Sequence, residues 1–151
     1  MNIRTGPDGV LKTFLEYVRP SFVKVAALCL RDSPAGREVM LVRTFQRQHW
    51  IIPKGWPMKN RTLAEAAACE AWEEAGVRGR LRPEPIGSFR YTKIRKSGLP
   101  VQCRAHIFRI DVETVDDVYP EAGKRQRQWA SLPEAAAMVH NPELSAFLRS
   151  V

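Results

Sequence analysis

Residues 55–77 read GWPMKNRTLAEAAACEAWEEAGV, and the fold follows from how this stretch is parsed. Thr62 followed three residues later by Glu65 is a capping box: the hydroxyl accepts a backbone N–H and the carboxylate reaches back to the cap. A helix therefore starts after Thr62, runs to Ala75 and stops at Gly76. Alanines at 64, 66, 67, 68 and 71 favour the helix and let it lie close to a sheet. At about 100° per residue, Glu70, Glu73 and Glu74 fall within roughly a 100° arc. Like charges so close repel, and three clustered carboxylates suit a hard divalent ion such as Mg²⁺ or Mn²⁺, which takes oxygen ligands. Taken alone, a solvated acidic helix face would read the same way.

The chain around this helix is basic. With 24 Lys and Arg against 16 Asp and Glu, the net charge is +8. A field of that sign raises on-rates for polyanions, although charge alone does not separate nucleic acid from small phosphates. An acidic helix inside a basic protein is what a metal–phosphate site needs: carboxylates for the ion, Lys and Arg for the remaining phosphates. A length of 151 residues gives one domain with a sizeable core. The apolar share of 44% and charged share of 26% are those of a soluble globular protein. The longest apolar run, residues 25–30, is too short to span a bilayer, so no membrane partner is expected. Arg4, Asp8 and Lys12 interrupt the N-terminus, which lacks the apolar stretch of a secretory signal. Cys29, Cys69 and Cys103 are odd in number and lack metal-ligand spacing, which points to reduced thiols and a cytoplasmic location.

Residues 1–20 read as an N-terminal arm with a short helix around 11–18, and residues 21–151 as a single domain. Strands are expected at 22–31 and 38–44, joined by the turn Asp32-Ser33-Pro34-Ala35-Gly36. A short strand at 50–52 ends at Pro53, and residues 54–61 are expected to be loop, with Gly55, Pro57 and Asn60 opposing regular structure. After the helix come strands at 80–81 and 86–94, a basic turn at 95–100 and a long alternating strand at 101–112. Residues 115–123 are irregular and 127–130 form a last short strand. Ser131, with Pro133 and Glu134 behind it, starts a helix with a second capping box, and Asn141-Pro142 opens a final helix at 142–148.

Ile51-Ile52-Pro53-Lys54, then Gly55, then Glu70, Glu73, Glu74, Gly76 and Val77 at their mutual spacing resemble the Nudix box. Its pattern is Gly, five residues, Glu, seven residues, Arg-Glu-apolar-x-Glu-Glu-x-Gly-apolar. The resemblance spans most of the chain and implies an α/β fold, the Nudix fold, with a mixed β-sheet sandwiched between α-helices. It implies a hydrolase acting on a diphosphate linked to another group, with Mg²⁺ or Mn²⁺ as cofactor. Carried over by position, Glu70 and Glu74 are the primary metal ligands and the Gly55 carbonyl is the third. Glu73 is the general base and a further ligand through water, making Glu73 and Glu70 the catalytic carboxylates. Glu121, in Tyr119-Pro120-Glu121, is an outside candidate for the base; its plain reading is a solvated loop residue.

Two positions depart from the pattern. Arg61 stands where the first glutamate is expected, and Cys69 stands where an arginine would help orient the carboxylates. A neutral thiol is a poor hydrogen-bond donor, and losing such a supporting group costs about tenfold to a hundredfold around metal sites. Cys69 is not read as a nucleophile, because a neighbouring carboxylate raises a thiol pKa. His49, His106 and His140 are scattered and none is read as a ligand.

Within the family the chain looks most like the diphosphoinositol polyphosphate and diadenosine polyphosphate hydrolases. Residues 24–30 (KVAALCL), 49–53 (HWIIP) and 125–129 (RQRQW) carry this likeness. It implies a polyphosphorylated small molecule as substrate, held by Lys24, Arg43, Lys54, Lys93, Arg95, Lys96 and Arg125, with Arg90 and Arg104 extending a basic wall. The family's habit implies a homodimer. Lys54-Gly55-Trp56-Pro57 replaces the subgroup's glycine-rich acidic loop, and Trp56 is open to three roles: stacking on a base, covering the site, or packing. Competing readings are RNA 5′-end pyrophosphate removal, a catalytically weak ligand-binding or regulatory domain, and a basic nucleic-acid binder. The absence of an aromatic-rich RNA recognition motif argues against a nucleic-acid partner.

Overall fold

The computed structural model describes residues 22–44 and 49–151; the N-terminal arm expected at 1–20 lies outside them. The centre of the molecule is β1 (Phe22–Ser33). Its apolar run does not alternate with polar residues because both of its faces are covered. Val25, Ala27 and Cys29 enter one core cluster, while Ala26, Leu28 and Leu30 enter another on the opposite face. The remaining strands are β2 (Gly36–Thr44), β3 (Lys54–Gly55), β4 (Val77–Ile94), β5 (Pro100–Val115) and β6 (Arg125–Ser131). The sheet order is β4-β5-β1-β2-β6, with β3 also paired to β1. β1 runs parallel to β5 and antiparallel to β2 and β3, so the sheet is mixed.

One face is covered by α1 (Leu63–Ala75), the other by α2 (Leu132–Met138) and α3 (Pro142–Ser150). This is the layered α/β arrangement expected above. α1 buries Ala64, Ala66, Ala67, Ala71 and Ala75. Side chains this small let its axis approach the sheet closely, which brings its carboxylates down towards the strand ends. The capping box forms in both directions, with Thr62 N donating to Glu65 Oε1 at 2.8 Å and Glu65 N to Thr62 Oγ1 at 3.1 Å. Gly76 ends the helix in the left-handed region at φ 67°. On the opposite face, Ser131 caps α2 by accepting from Glu134 N. Asn141 caps α3 by accepting from Leu144 N and donates to Arg90 O on β4.

Three expectations change. Residues 50–52 form no strand, only single bridges from Trp50 to Val139 and from Ile51 to Val42. Residues 54–61 are not all loop: Lys54 and Gly55 pair with Ala26 and Val25 of β1. Ala27 N donates to Pro53 O at 2.9 Å, and this bond draws the segment onto the sheet. The strands expected at 80–81 and 86–94 are one 18-residue strand, β4. It runs along β5 through register shifts around Leu81–Pro85 and Pro85–Gly87. Pro83 and Pro85 lack an N–H and break a local pattern, but an edge strand absorbs them as bulges. Among the described residues no helix is long and apolar enough to cross a membrane.

A Cβ placed on Gly76 would lie 2.6 Å from both the Asp116 carbonyl oxygen and the Tyr119 ring, whereas Gly98 (φ 84°) faces open space. Both substitutions to alanine incur the left-handed cost of about 1–2 kcal/mol. Gly76→Ala adds an overlap that Gly98→Ala lacks. Urea unfolding should therefore place Gly76→Ala at least about 1 kcal/mol below Gly98→Ala.

Candidate active site

Three carboxylates project from the last turns of α1. Glu74 is 4% exposed, and Glu70 and Glu73 are half-buried. Glu70 and Glu74 lie one helical turn apart, close enough for the charge of Glu70 to act on Glu74. Burial pushes Glu74 up to about 8, against the pull of the Arg125 charge. Burial also raises Glu70, helped by the Glu73 and Glu121 charges. β3 completes this end of the site. A Cβ on Gly55 would overlap the Glu70 carboxyl group, so only glycine lets the backbone lie against it.

Glycine backbone and two carboxylates make an all-oxygen donor set, which fits a hard divalent cation. The missing Cβ at Gly55 is the space such a set needs. Among the described residues no three His, Cys, Asp or Glu side chains are grouped so that they could hold a metal ion by themselves. Burial raises both Glu70 and Glu74, a cost that a bound cation would offset.

Glu121 joins this group. Its N–H donates to the Glu73 carbonyl oxygen at 2.9 Å, and its charge acts on both Glu70 and Glu74. Arg127 fixes the segment that leads to it. That guanidinium donates to Ala75 O at the end of α1 and to Asp116 O, and pairs with Asp117. Arg127 thus satisfies a helix-terminal carbonyl and ties the 116–121 segment against it. Arg125, two residues earlier on β6, lies 3.6 Å from Glu74 and 3.1 Å from Glu121. The sequence offered Glu121 as an outside candidate for the base and more plainly as a solvated loop residue; its spacing of four from Arg125 was the local signal that it is held.

The basic residues divide. Lys24, on β1, is 6% exposed and its Nζ sits 3.6 Å from the centroid of the Trp56 ring. Burial, then the charges of Lys54 and Lys93, lower it to about 8, while Glu70 pulls it up. Lys93 also lies over Trp56, at 5.2 Å, and Lys54 lies over Tyr91 at 4.6 Å. Arg95 lies over Phe22, whose ring meets Trp56 edge-on. These aromatic platforms had no signal in the sequence beyond Trp56 itself. The other candidates make different contacts: Arg43 donates to Gln126 and stacks on Trp50, and Lys96 is exposed on the turn between β4 and β5. Arg90 pairs with Glu143 of α3 and Arg104 donates to Ser88, so neither joins the lysine group.

A sheet between helices, with a glycine strand facing paired glutamates on a capped helix, defines a class, and the match to the NUDIX domain over residues 22–151 agrees with it. The chain belongs to the Nudix hydrolase family. Among its relatives is Nudix hydrolase 13, mitochondrial, from Arabidopsis thaliana, 31% identical over 104 residues that cover 65% of this chain and 51% of that one. A human diphosphoinositol polyphosphate phosphohydrolase is 26% identical over 140 residues, covering 89% of this chain and 74% of that one. The crystal structure of a C. elegans Ap4A hydrolase superposes with a TM-score of 0.58 at 19% identity, covering 85% and 93% of the two chains. The chain spans about half the length of the first of the curated relatives it matches.

The displacements of Glu74 and Lys24 have opposite consequences. Folded Glu74 keeps its proton to about pH 8 whereas the unfolded chain releases it near 4.5, so its contribution to stability falls between those values. Folded Lys24 gives up its proton near 8 and unfolded near 10.5, so its contribution rises across that range. In chelator, the melting temperature should dip near pH 8. Glu74→Gln should flatten the acid limb of that dip and Lys24→Met the alkaline limb, read by scanning calorimetry from pH 5 to 10.

Proposed function

We propose that this chain is a divalent-metal-dependent pyrophosphohydrolase that cleaves a phosphoanhydride in a polyphosphorylated small molecule of the diphosphoinositol polyphosphate or diadenosine polyphosphate type. The observation that carries this reading is the meeting of two opposite poles. Glu70 and Glu74 form one, and Lys24, within reach of Glu70 and with Lys54 and Lys93 close to it, forms the other. A polyphosphate chain needs both, because an ion offsets only part of its charge and fixed cations must offset the rest.

Held by the Gly55 carbonyl, Glu70 and Glu74, the ion would supply charge neutralisation and a bound water of lowered pKa. Glu73, beside Glu74 on α1 and half-buried, accepts the proton of the attacking water. Lys24, Lys54, Lys93 and Arg95 hold non-bridging oxygens and align the anhydride with that water. Lys24 gains most from an arriving phosphate, since the anion offsets the burial and the two lysine charges that depress its pKa. Two ammonium groups and the edge of Phe22 already surround the Trp56 ring. This favours a phosphate-dense ligand over one that must stack a base there.

The test is phosphate release with Mg²⁺ and with Mn²⁺ from diphosphoinositol phosphates, diadenosine polyphosphates, nucleotide sugars, nucleoside triphosphates and 5′-triphosphate RNA. The expected result is metal-dependent turnover, strongest on the first two and abolished by Glu70→Gln. Glu73→Gln should lower kcat at least about a hundredfold with little change in KM. Lys93→Gln should raise KM about tenfold, and less at high salt, where exposed charges are screened. Ligand binding without turnover would sink the catalytic reading in favour of a regulatory domain, to which Arg61 and Cys69 lend themselves.

A further inference from the structure

We propose that Trp56 is a positioning residue for phosphate recognition, its ring holding the ammonium groups of Lys24 and Lys93 together as one grip for a polyphosphate. The inference deepens the reading above and rests on its phosphate half, not on the metal ion. Lys24 Nζ lies 3.6 Å from the centroid of the Trp56 ring, and Lys93 Nζ lies 5.2 Å from it. The two lysines come from β1 and β4, strands that β5 separates in the sheet. The indole is where they meet.

Two ammonium groups so placed repel, and the Lys93 charge is one of those that disfavour the charged form of Lys24. Lys54 acts in the same direction, while Cys103 and Glu70 favour the charge. The negative face of an indole attracts cations and offsets part of the repulsion between the two lysines. Lys93 is exposed, and an exposed lysine is otherwise spread over many rotamers. The ring therefore adds order as well as attraction.

Trp56 is itself held in place. Phe22 lies two residues before Lys24, so one strand brings both side chains to the same face. Its ring meets Trp56 edge-on, with 5.0 Å between centroids and 82° between planes. Trp56 is 44% exposed and belongs to neither core cluster, so its packing serves the cleft and not the interior. A nucleobase stacking on this ring would compete with two ammonium groups and with Phe22. Cations gathered before a ligand arrives lose less freedom when it binds. Trp56 thus selects ligands by the density of their phosphates, through the lysines, and not by a base.

The experiment is a calorimetric titration of the full chain, in chelator, with two probes. Inorganic tripolyphosphate has no base, and diadenosine tetraphosphate has one at each end. The forms compared are the parent, Trp56→Leu, Trp56→Phe, Lys93→Gln and Trp56→Leu combined with Lys93→Gln, each checked by circular dichroism. Trp56→Leu should weaken both probes about tenfold, and Trp56→Phe, which keeps a ring, about threefold. In the Lys93→Gln background the cost of Trp56→Leu should fall to about threefold, the mark of two residues acting together. Trp56→Phe carries the same cycle if the leucine variant fails to fold. A loss confined to diadenosine tetraphosphate would overturn the proposal and make Trp56 a platform for a base. An equal loss with and without Lys93 would also overturn it, since Trp56 would then act independently of that lysine. Failure of the parent to bind either probe would instead overturn the polyphosphate reading on which the proposal rests.

Discussion

The site depends on how closely one helix can approach the sheet. α1 meets Val25, Ala27 and Cys29 of β1 and Met40 and Val42 of β2 through alanines. Larger side chains there would lift the helix, and Glu70 would leave the backbone of Gly55. The same closeness takes Glu74 out of water, which an ionised carboxylate resists. The fold thus holds a group of acids that disfavour their own ionisation, on a helix fixed at both ends by its capping box and by Gly76. That is a local loss of stability maintained by the rest of the core, as is common where chemistry is done.

The basic half is organised by alternation along strands. On β6, Arg125, Arg127 and Trp129 are partly buried and Gln126 and Gln128 are exposed, the period-two pattern of a strand with one face covered. The two arginines on that face reach different targets, one the carboxylates and the other the end of α1. On β1, Lys24 interrupts an otherwise apolar burial pattern. It is tolerated because Trp56 takes its ammonium over the ring and Glu70 lies within electrostatic reach. The net charge of +8 also raises the rate at which polyanions meet the surface.

Local chemistry made α1 legible residue by residue: a Thr-x-x-Glu cap, an alanine face and a glycine stop act within one segment. β1 was legible because an apolar run bounded by a turn has few alternatives. β3 was not, since two residues next to Pro53 become a strand only through long-range bonds to β1. β4 was misread as two pieces because Pro83 and Pro85 argue against a strand locally, while fourteen residues paired with β5 outweigh them. At the site, the clustering of the glutamates followed from helical spacing, and Gly55 from the resemblance to the Nudix box. The division of labour between Arg125 and Arg127 did not, because both are arginines on one strand face and only their partners from other segments separate them. The stacking of lysines on Trp56 and Tyr91 likewise joins residues far apart in the chain.

The outer margin of the sheet at β4 has a consequence of its own. A long edge strand exposes a row of unpaired amide and carbonyl groups, an invitation for another chain to add itself. Two prolines without N–H groups and the register shifts beside them interrupt that row near its middle. An incoming strand would find no continuous ladder to extend. The irregularity that disguises β4 in the sequence therefore serves as a guard against open-ended polymerisation, letting the chain keep an 18-residue strand at its rim.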